Sequence, residues 1–324
     1  MRILTNRNVA TWPSYQIVWE WEDSAAKALG AELAYESRLP LNKYARALNL
    51  FQHSFLPKGH LFVWEVSVSR DAGTERRYNR ENIIPCVVDY FFKDEEMSLF
   101  EKKFDRNPLV FISSKEVYDR LMSQGCKTKI AHLPLTISDI YALNPDTVFE
   151  KKYDLIMMGR QNPVQKEYLN IYIKSHPDFV YVYEDVGMGK LHYRASDGQY
   201  VGYIETREKY MSLLRQSRVA LYSTPGIDGG EVRTNGFNQV TPKFLEYLAC
   251  GCNVISRWKD NPDTDFYGLH HFSENVDDYK IFERLMDEAR TKKVEVQAYS
   301  EYLKGHYTSS IVPTIKSYTD KVFG

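Results

Sequence analysis

The sequence predicts an α/β protein made of two Rossmann-like domains in series, and three observations carry that prediction. Apolar runs of strand length alternate with segments of helical period along most of the chain, the pattern of parallel sheets covered by helices. The alternation lapses once, between Pro134 and Lys152, where Pro134, Pro145 and an Asn-Pro-Asp stretch break it, and then it restarts. The length, 324 residues, accommodates two ordinary domains at roughly 150 residues each. The boundary is therefore placed near residue 150, giving domains of 1–150 and 151–305 followed by a terminal segment, 306–324.

In the first domain, Arg2 to Thr5 reads as a short strand and Ser14 to Leu29 as a helix stopped by Gly30. His60 to Val68, Ile83 to Asp89, Leu109 to Ser113 and Lys129 to Leu133 read as further strands. Ser114 to Gln124 is helical and closed by Gly125, and Ser113-x-x-Glu116 has capping-box spacing at its start. The second domain repeats the rhythm: strand Tyr153 to Met158, helix Val164 to Ser175, strand Phe179 to Tyr183, helix Arg207 to Gln216, strand Arg218 to Ser223. A glycine-rich loop, a helix from Pro242, a strand Asn253 to Ser256 and helices over most of 277–322 complete it.

Composition narrows the function. Apolar residues at 43% and charged residues at 26% describe a folded globular chain. A net charge of -1 argues against a nucleic-acid binder, which needs a basic field. No apolar run approaches the roughly 20 residues of a membrane span, and MRILTNRNVATWPSY lacks the apolar core of a secretory signal. The cytoplasm is the expected address, and contact with the inner face of a membrane is compatible with it. Cys86, Cys126, Cys250 and Cys252 are too few for a disulfide framework and contain no C-x-x-C pair, so they are expected reduced and mostly buried.

The most informative stretch runs from Thr241 to Ile255. Thr241 and Pro242 form an N-cap and N1 pair and Gly251 suits the C′ position, so a helix of about nine residues has both ends specified. At about 100° per residue, Phe244, Leu245, Leu248 and Ala249 share one side, while Lys243, Glu246 and Tyr247 fall on the other. The helix N-terminus can hold phosphate oxygens, and Glu246, little more than a turn further on, can accept hydrogen bonds from ribose hydroxyls. A surface Glu246 paired with Lys243 is the plainer alternative.

Lys-Phe-Leu-Glu-Tyr-Leu-Ala-Cys-Gly-Cys-Asn-Val-Ile, from Lys243 to Ile255, resembles the second-domain signature of two-Rossmann-domain glycosyltransferases, the family called glycosyl transferases group 1. Three further segments resemble it in the same order: Pro108 to Pro134, Leu155 to Lys166, and Tyr210 to Ser223. The resemblance implies a GT-B architecture with a central cleft, an acceptor bound by the first domain, and a nucleotide sugar bound by the second. It also implies a final helix, within 306–324, that crosses back onto the first domain. Gly159, Arg160 and Lys166 match the loop that neutralises the donor diphosphate, with Thr241, Lys243 and Glu246 completing the donor site. The family's Glu-x7-Glu motif would place a carboxylate where this chain has Asn238, which can still hydrogen-bond a sugar hydroxyl; Asn235-Gly236-Phe237 echoes the motif's opening three residues early. Asn6-Arg7-Asn8, where the family brings backbone near the donor, lacks the usual glycine pair.

Transfer of a sugar breaks a bond to a diphosphate, so negative charge grows on the leaving group while the anomeric carbon becomes cationic. Arg160, Lys166 and the helix end at Thr241 are groups that hold such charge without a metal, so no cofactor is expected beyond the donor substrate. The acceptor hydroxyl must lose a proton, and Asp89 or Glu65, at cleft-facing strand ends, are the candidate bases. The resemblance further implies the partners, a nucleotide-sugar donor and a glycan or lipid-linked acceptor in surface polysaccharide synthesis, and the family's commoner outcome, retention at the anomeric carbon. A sugar-nucleotide epimerase or a non-catalytic sugar binder would fit the same scaffold. Asp263-Thr264-Asp265 has a D-x-D pattern, but its position after Pro262 favours a loop over a metal site. His270-His271 lacks a third ligand, and Trp12, Trp19 and Trp21 are expected to pack the first helix.

Overall fold

The computed structural model describes residues 1–8, 13–38, 54–70 and 78–324; Trp12 lies outside them. The first sheet comprises β1 (Arg2–Thr5), β2 (Leu33–Tyr35), β5 (Leu61–Val68), β6 (Ile83–Tyr90), β7 (Val110–Ile112) and β8 (Ile130–His132), in the order β2-β1-β5-β6-β7-β8. Every adjacent pair is parallel. β3 (Ser37–Arg38) and β4 (Ser54–Phe55) form a small separate ribbon. Helix α1 (Gln16–Leu29) follows β1, and α2 (Met97–Lys103) and α3 (Lys115–Ser123) follow β6 and β7. The central strands are buried along nearly their whole length, as a parallel sheet covered on both faces requires.

The second sheet is ordered β12-β11-β10-β9-β13-β14, with β9 (Tyr153–Ile156), β10 (Tyr181–Glu184), β11 (His192–Ala195), β12 (Tyr200–Tyr203), β13 (Ser217–Ser223) and β14 (Asn253–Arg257). β9, β10, β13 and β14 pair in parallel, whereas β11 and β12 extend the edge antiparallel. Sequence reasoning missed that hairpin because His192–Ala195 and Tyr200–Tyr203 are short and lack the apolar runs that mark the parallel strands, although their alternation is the pattern of a half-exposed edge. Helices α4 (Pro163–Ser175), α5 (Arg207–Leu214), α6 (Pro242–Ala249), α7 (Pro262–Phe266), α8 (Tyr279–Thr291) and α9 (Val296–Leu303) belong to the same half of the chain; α6 and α8 pack on the sheet, α9 packs on α6, and α7 packs on α3.

The last helix, α10 (Thr308–Phe323), belongs to the core of the first domain: Ile311, Val312 and Ile315 pack with Ile3, Val18, Trp21 and Phe111. Its start is tied to the connecting segment through Thr308 N–H to the Ile137 carbonyl at 2.9 Å. Trp21 is buried and donates its indole N–H to the Thr136 carbonyl at 2.9 Å.

Two local expectations need correcting. Ser114, not Ser113, caps α3, accepting from Val117 N–H at 3.2 Å; Ser113 instead donates to the Val88 carbonyl. Glu116 does not close a capping box but accepts the Asn238 N–H at 2.7 Å from the other domain. Pro262 opens a short helix rather than a loop, and within it Asp263 is fully buried. Its carboxylate takes Ser114 Oγ at 2.5 Å and the Lys115 and Glu116 N–H groups at 3.0 and 2.9 Å. A carboxylate of the second domain thus caps a helix of the first, which accounts for the D-x-D residue without a metal. Among the described residues no group of three or more His, Cys, Asp or Glu side chains could hold a metal ion.

Candidate functional site

Helix α6 keeps the ends its sequence specifies: Thr241 is at the N-cap, Pro242 at N1, and Gly251 beyond the C-terminus has φ +62°. The Thr241 hydroxyl makes no cap bond. The helix starts at a cavity of about 440 Å³ that lies between the domains. Second-domain residues Gly159, Arg160, Tyr193, Ile204, Arg207, Tyr210, Thr241, Lys243 and Glu246 line it, and Pro13, Ser14 and Ile17 of the first domain close one side.

Gly159 has φ +67°, a conformation that side chains disfavour, and it reverses the chain just past β9. The turn presents the Met158 carbonyl to Lys243 Nζ at 2.6 Å, with the Arg160 carbonyl at 3.5 Å. Burial lowers the Lys243 ammonium to about 8, a fall that Glu246 opposes and Arg160 reinforces. An anionic ligand such as a phosphate would offset the burial that penalises its charge.

Glu246 does not pair with Lys243 and does not sit on the surface; it is buried in the cavity wall. One carboxylate oxygen meets Arg207 Nη2 at 2.8 Å and the other accepts the Tyr210 hydroxyl at 2.9 Å. Tyr247, placed by helical phase on the same side, is core. The wheel assumed one covered face, whereas α6 packs against β13 and β14 and against α9 as well.

Two proposed donor residues lie elsewhere. Lys166 is exposed and does not line the cavity, because Asn162 caps α4 and fixes a phase in which Gln165, Leu169 and Tyr172 face inward. Asn238 is buried, with its amide spent inside the loop: Oδ1 accepts from Thr224 Oγ1 at 3.1 Å and Nδ2 donates to the Gly236 carbonyl at 2.7 Å. The loop containing it is fastened to the first domain. Phe237 packs edge-on against Tyr90, Asn235 donates to the Phe91 carbonyl at 2.9 Å, and Gln239 donates to Ser113 Oγ at 2.6 Å.

Asp89 lines a second, smaller cavity of about 130 Å³ with Arg160, Glu231, Arg233, Gln239 and Thr241. Arg160 and Thr241 border both spaces. Burial pushes the Asp89 carboxyl up to about 6, with Arg233 and Arg160 pulling it back. Glu65 is buried in β5 and lines neither cavity. Arg7 is turned back onto α1, where it pairs with Glu22 at 2.9 Å and Asp23 at 3.0 Å.

Sequence reasoning missed Arg207, Tyr210, Tyr193 and Gln165. Only Gln165 had a local signal, the Asn162-Pro163 helix start that sets the phase of α4.

No protein-family model and no curated protein matches the chain. Solved structures do. The N-terminal domain of Candida albicans trehalose-6-phosphate phosphatase aligns with a TM-score of 0.57 at 11% identity, over 100% of this chain and 97% of that one. A trehalose-6-phosphate synthase aligns with a TM-score of 0.55 at 11% identity, over 99% of each. The fold is GT-B. A chain of the GtfA/B complex aligns at a TM-score of 0.48 and 12% identity over 86% of this chain, which spans 59% of that longer one.

Proposed function

We propose that the protein transfers a sugar from a nucleoside-diphosphate sugar to a glycan or lipid-linked acceptor, without a metal ion and with retention, in the synthesis of a surface polysaccharide. The observation that carries this reading is the order of groups along the cavity wall at α6. A half-buried ammonium, Lys243, stands in the first turn beside Arg160, and a buried carboxylate, Glu246, stands one turn later beside Tyr210, with Tyr193 in the same cavity wall. Cations suit a diphosphate, the carboxylate suits ribose hydroxyls, and the tyrosines suit the flat base of a nucleotide.

In the transfer, Arg160, Lys243 and the α6 N-terminus hold the charge that grows on the departing diphosphate. Asp89, in the adjoining cavity, is the group placed to take the acceptor proton; in a retaining transfer the departing phosphate oxygen shares that task. The GT-B likeness to trehalose-6-phosphate synthase, a protein also described in connection with glycosyl transfer with retention, supports that outcome. A lipid-linked acceptor would bring the protein to the cytoplasmic face of a membrane; no helix among the described residues is long and apolar enough to cross one.

The engagement of Asn238 inside its loop favours one second reading, a protein that binds nucleotide sugars without turning them over. Thermal-shift measurements with UDP-, GDP-, ADP- and TDP-sugars test the site. One nucleotide class raises Tm, and Glu246→Ala abolishes the rise. No rise with any of them sinks the donor site. Release of nucleoside diphosphate from the stabilising sugar nucleotide then separates the transferase from the binder.

A further inference from the structure

The guanidinium of Arg207 lies between two carboxylates that belong to different domains. Its Nε meets Glu20 Oε2 at 3.2 Å, and its Nη2 meets Glu246 Oε1 at 2.8 Å. Glu20 stands on α1 of the first domain, Glu246 on α6 at the donor cavity. The arrangement is nearly symmetric. Tyr141 donates its hydroxyl to Glu20 and places its ring 5.8 Å from the guanidinium; Tyr210 donates to Glu246 and places its ring 5.1 Å away. Gln16, one turn before Glu20, accepts the Arg207 backbone N–H at 2.8 Å and donates to the Glu205 carbonyl at 3.3 Å. All three charged side chains are nearly excluded from solvent, at 13% exposure for Glu20 and Arg207 and 4% for Glu246.

A guanidinium presents its donors in one rigid plane, so fixing two of its edges fixes its orientation. With Glu20 on the Nε edge, Arg207 offers Glu246 only an ion-pair contact from Nη2, not aligned as a hydrogen bond, and the carboxylate keeps lone pairs for a ligand. Without the Glu20 charge, Arg207 is free to turn and grip Glu246 with two parallel bonds, the geometry that guanidinium and carboxylate favour. Those bonds would occupy the acceptor positions that hydroxyls of a bound ligand need.

We infer that Glu20, in the first domain and outside the cavity, is a positioning residue for Glu246, acting through Arg207. The donor wall of the second domain is complete only while α1 is docked against it. This rests on the proposed donor site in one respect, that Glu246 meets the ligand.

The test pairs Glu20→Gln with Glu22→Gln, a change on the same helix whose ion pair, with Arg7, stays within the first domain. Two readouts are taken. Calorimetric titration with UDP, GDP, ADP and TDP gives the affinity for whichever nucleoside diphosphate the wild type binds. Amide hydrogen exchange over α5 and α6, without ligand, reports how firmly the wall is held. Glu20→Gln is expected to weaken binding about tenfold, within the usual span of coupling between sites, and to speed exchange in α6; Glu22→Gln changes neither. In an Arg207→Gln background, or Arg207→Lys if that variant does not fold, Glu20→Gln adds nothing further, as a residue acting through Arg207 must. Unchanged exchange in α6 overturns the inference, and so does faster exchange with unchanged affinity. If the wild type binds none of the four diphosphates, the donor reading fails, and the exchange measurement still decides whether Glu20 holds the wall.

Discussion

Arg207 and Arg160 each hold a carboxylate at the edge of the same cavity, yet 13% of the first side chain is exposed and 44% of the second. Arg207 is shared by Glu20 and Glu246 and sandwiched by two tyrosines. Arg160 meets Glu231 at 3.0 Å, and Glu231 is itself held by Arg233 at 2.8 Å. Burial makes the first cluster a fixed part of the wall, since desolvated charges cannot exchange partners for water. Exposure leaves the second able to trade Glu231 for an incoming phosphate at little cost. In the proposed donor site, the first cluster would orient a ligand and the second would receive its charge.

The sharpest way to break this comparison is Arg207→Met. It leaves two buried carboxylates without their cation and is expected to cost about 3–5 kcal/mol of stability, read as a fall in the denaturant midpoint. A loss under 1 kcal/mol would mean the buried cluster is no more fixed than the exposed one.

Asp89 stands beside the exposed cluster, and its replacement comes next in size. Asp89→Asn is expected to lower transfer by up to about a hundredfold, since the departing phosphate oxygen shares the proton, and to erase a rise in rate centred near pH 6. Its effect on stability has the opposite sign. The folded protein holds this proton more tightly than an ordinary aspartate at 3.8 would, so the carboxyl's contribution is present below pH 4 and lost as pH rises through 6. Above pH 7 the asparagine variant is therefore more stable, by on the order of 3 kcal/mol. An unchanged Tm at pH 8 would show that the carboxylate is solvated.

Glu231→Gln probes the exposed cluster directly. Hydrogen bonds from Arg233 hold the Glu231 carboxyl down to about 2, so it carries its charge at every working pH. Neutralising it should change stability by no more than about 1 kcal/mol and tighten nucleoside diphosphate binding roughly two- to fivefold as Arg160 is released. Weaker binding in calorimetry would give Glu231 a direct part in holding the ligand.

The two clusters also mark how far the sequence could be read. The alternation of strand and helix located both sheets, because parallel strands buried on two faces are written as apolar runs. Helix α6 was legible from Thr241, Pro242 and Gly251, and its phase brought Lys243 and Glu246 to one cavity. Arg207 was not legible, since its partner Glu20 lies 187 positions away and nothing local distinguishes it from other helix-start arginines. Asn238 was misplaced for a related reason. Spacing from Glu246 locates a residue along the chain, but Phe237, Gln239 and Glu116 decide which domain its loop faces, and those contacts are long-range.

Lys166 gives the smallest expected effect and the cleanest contrast with Arg160. Both follow β9 and both are cations, and from composition alone they are interchangeable. Asn162 accepts the N–H groups of Val164 and Gln165 at 2.9 and 3.0 Å, which starts α4 at a fixed register. Gln165 then turns inward and donates to the Ile255 carbonyl at 3.3 Å, while Lys166, about 100° further round, points to solvent. Lys166→Ala should leave stability within about 0.5 kcal/mol and diphosphate affinity unchanged, whereas Arg160→Ala weakens that affinity. An affinity loss in Lys166→Ala to match that of Arg160→Ala would mean that the ligand extends past the cavity onto the outer face of α4, and that charge along the chain, rather than helix register, selects the residues that hold it.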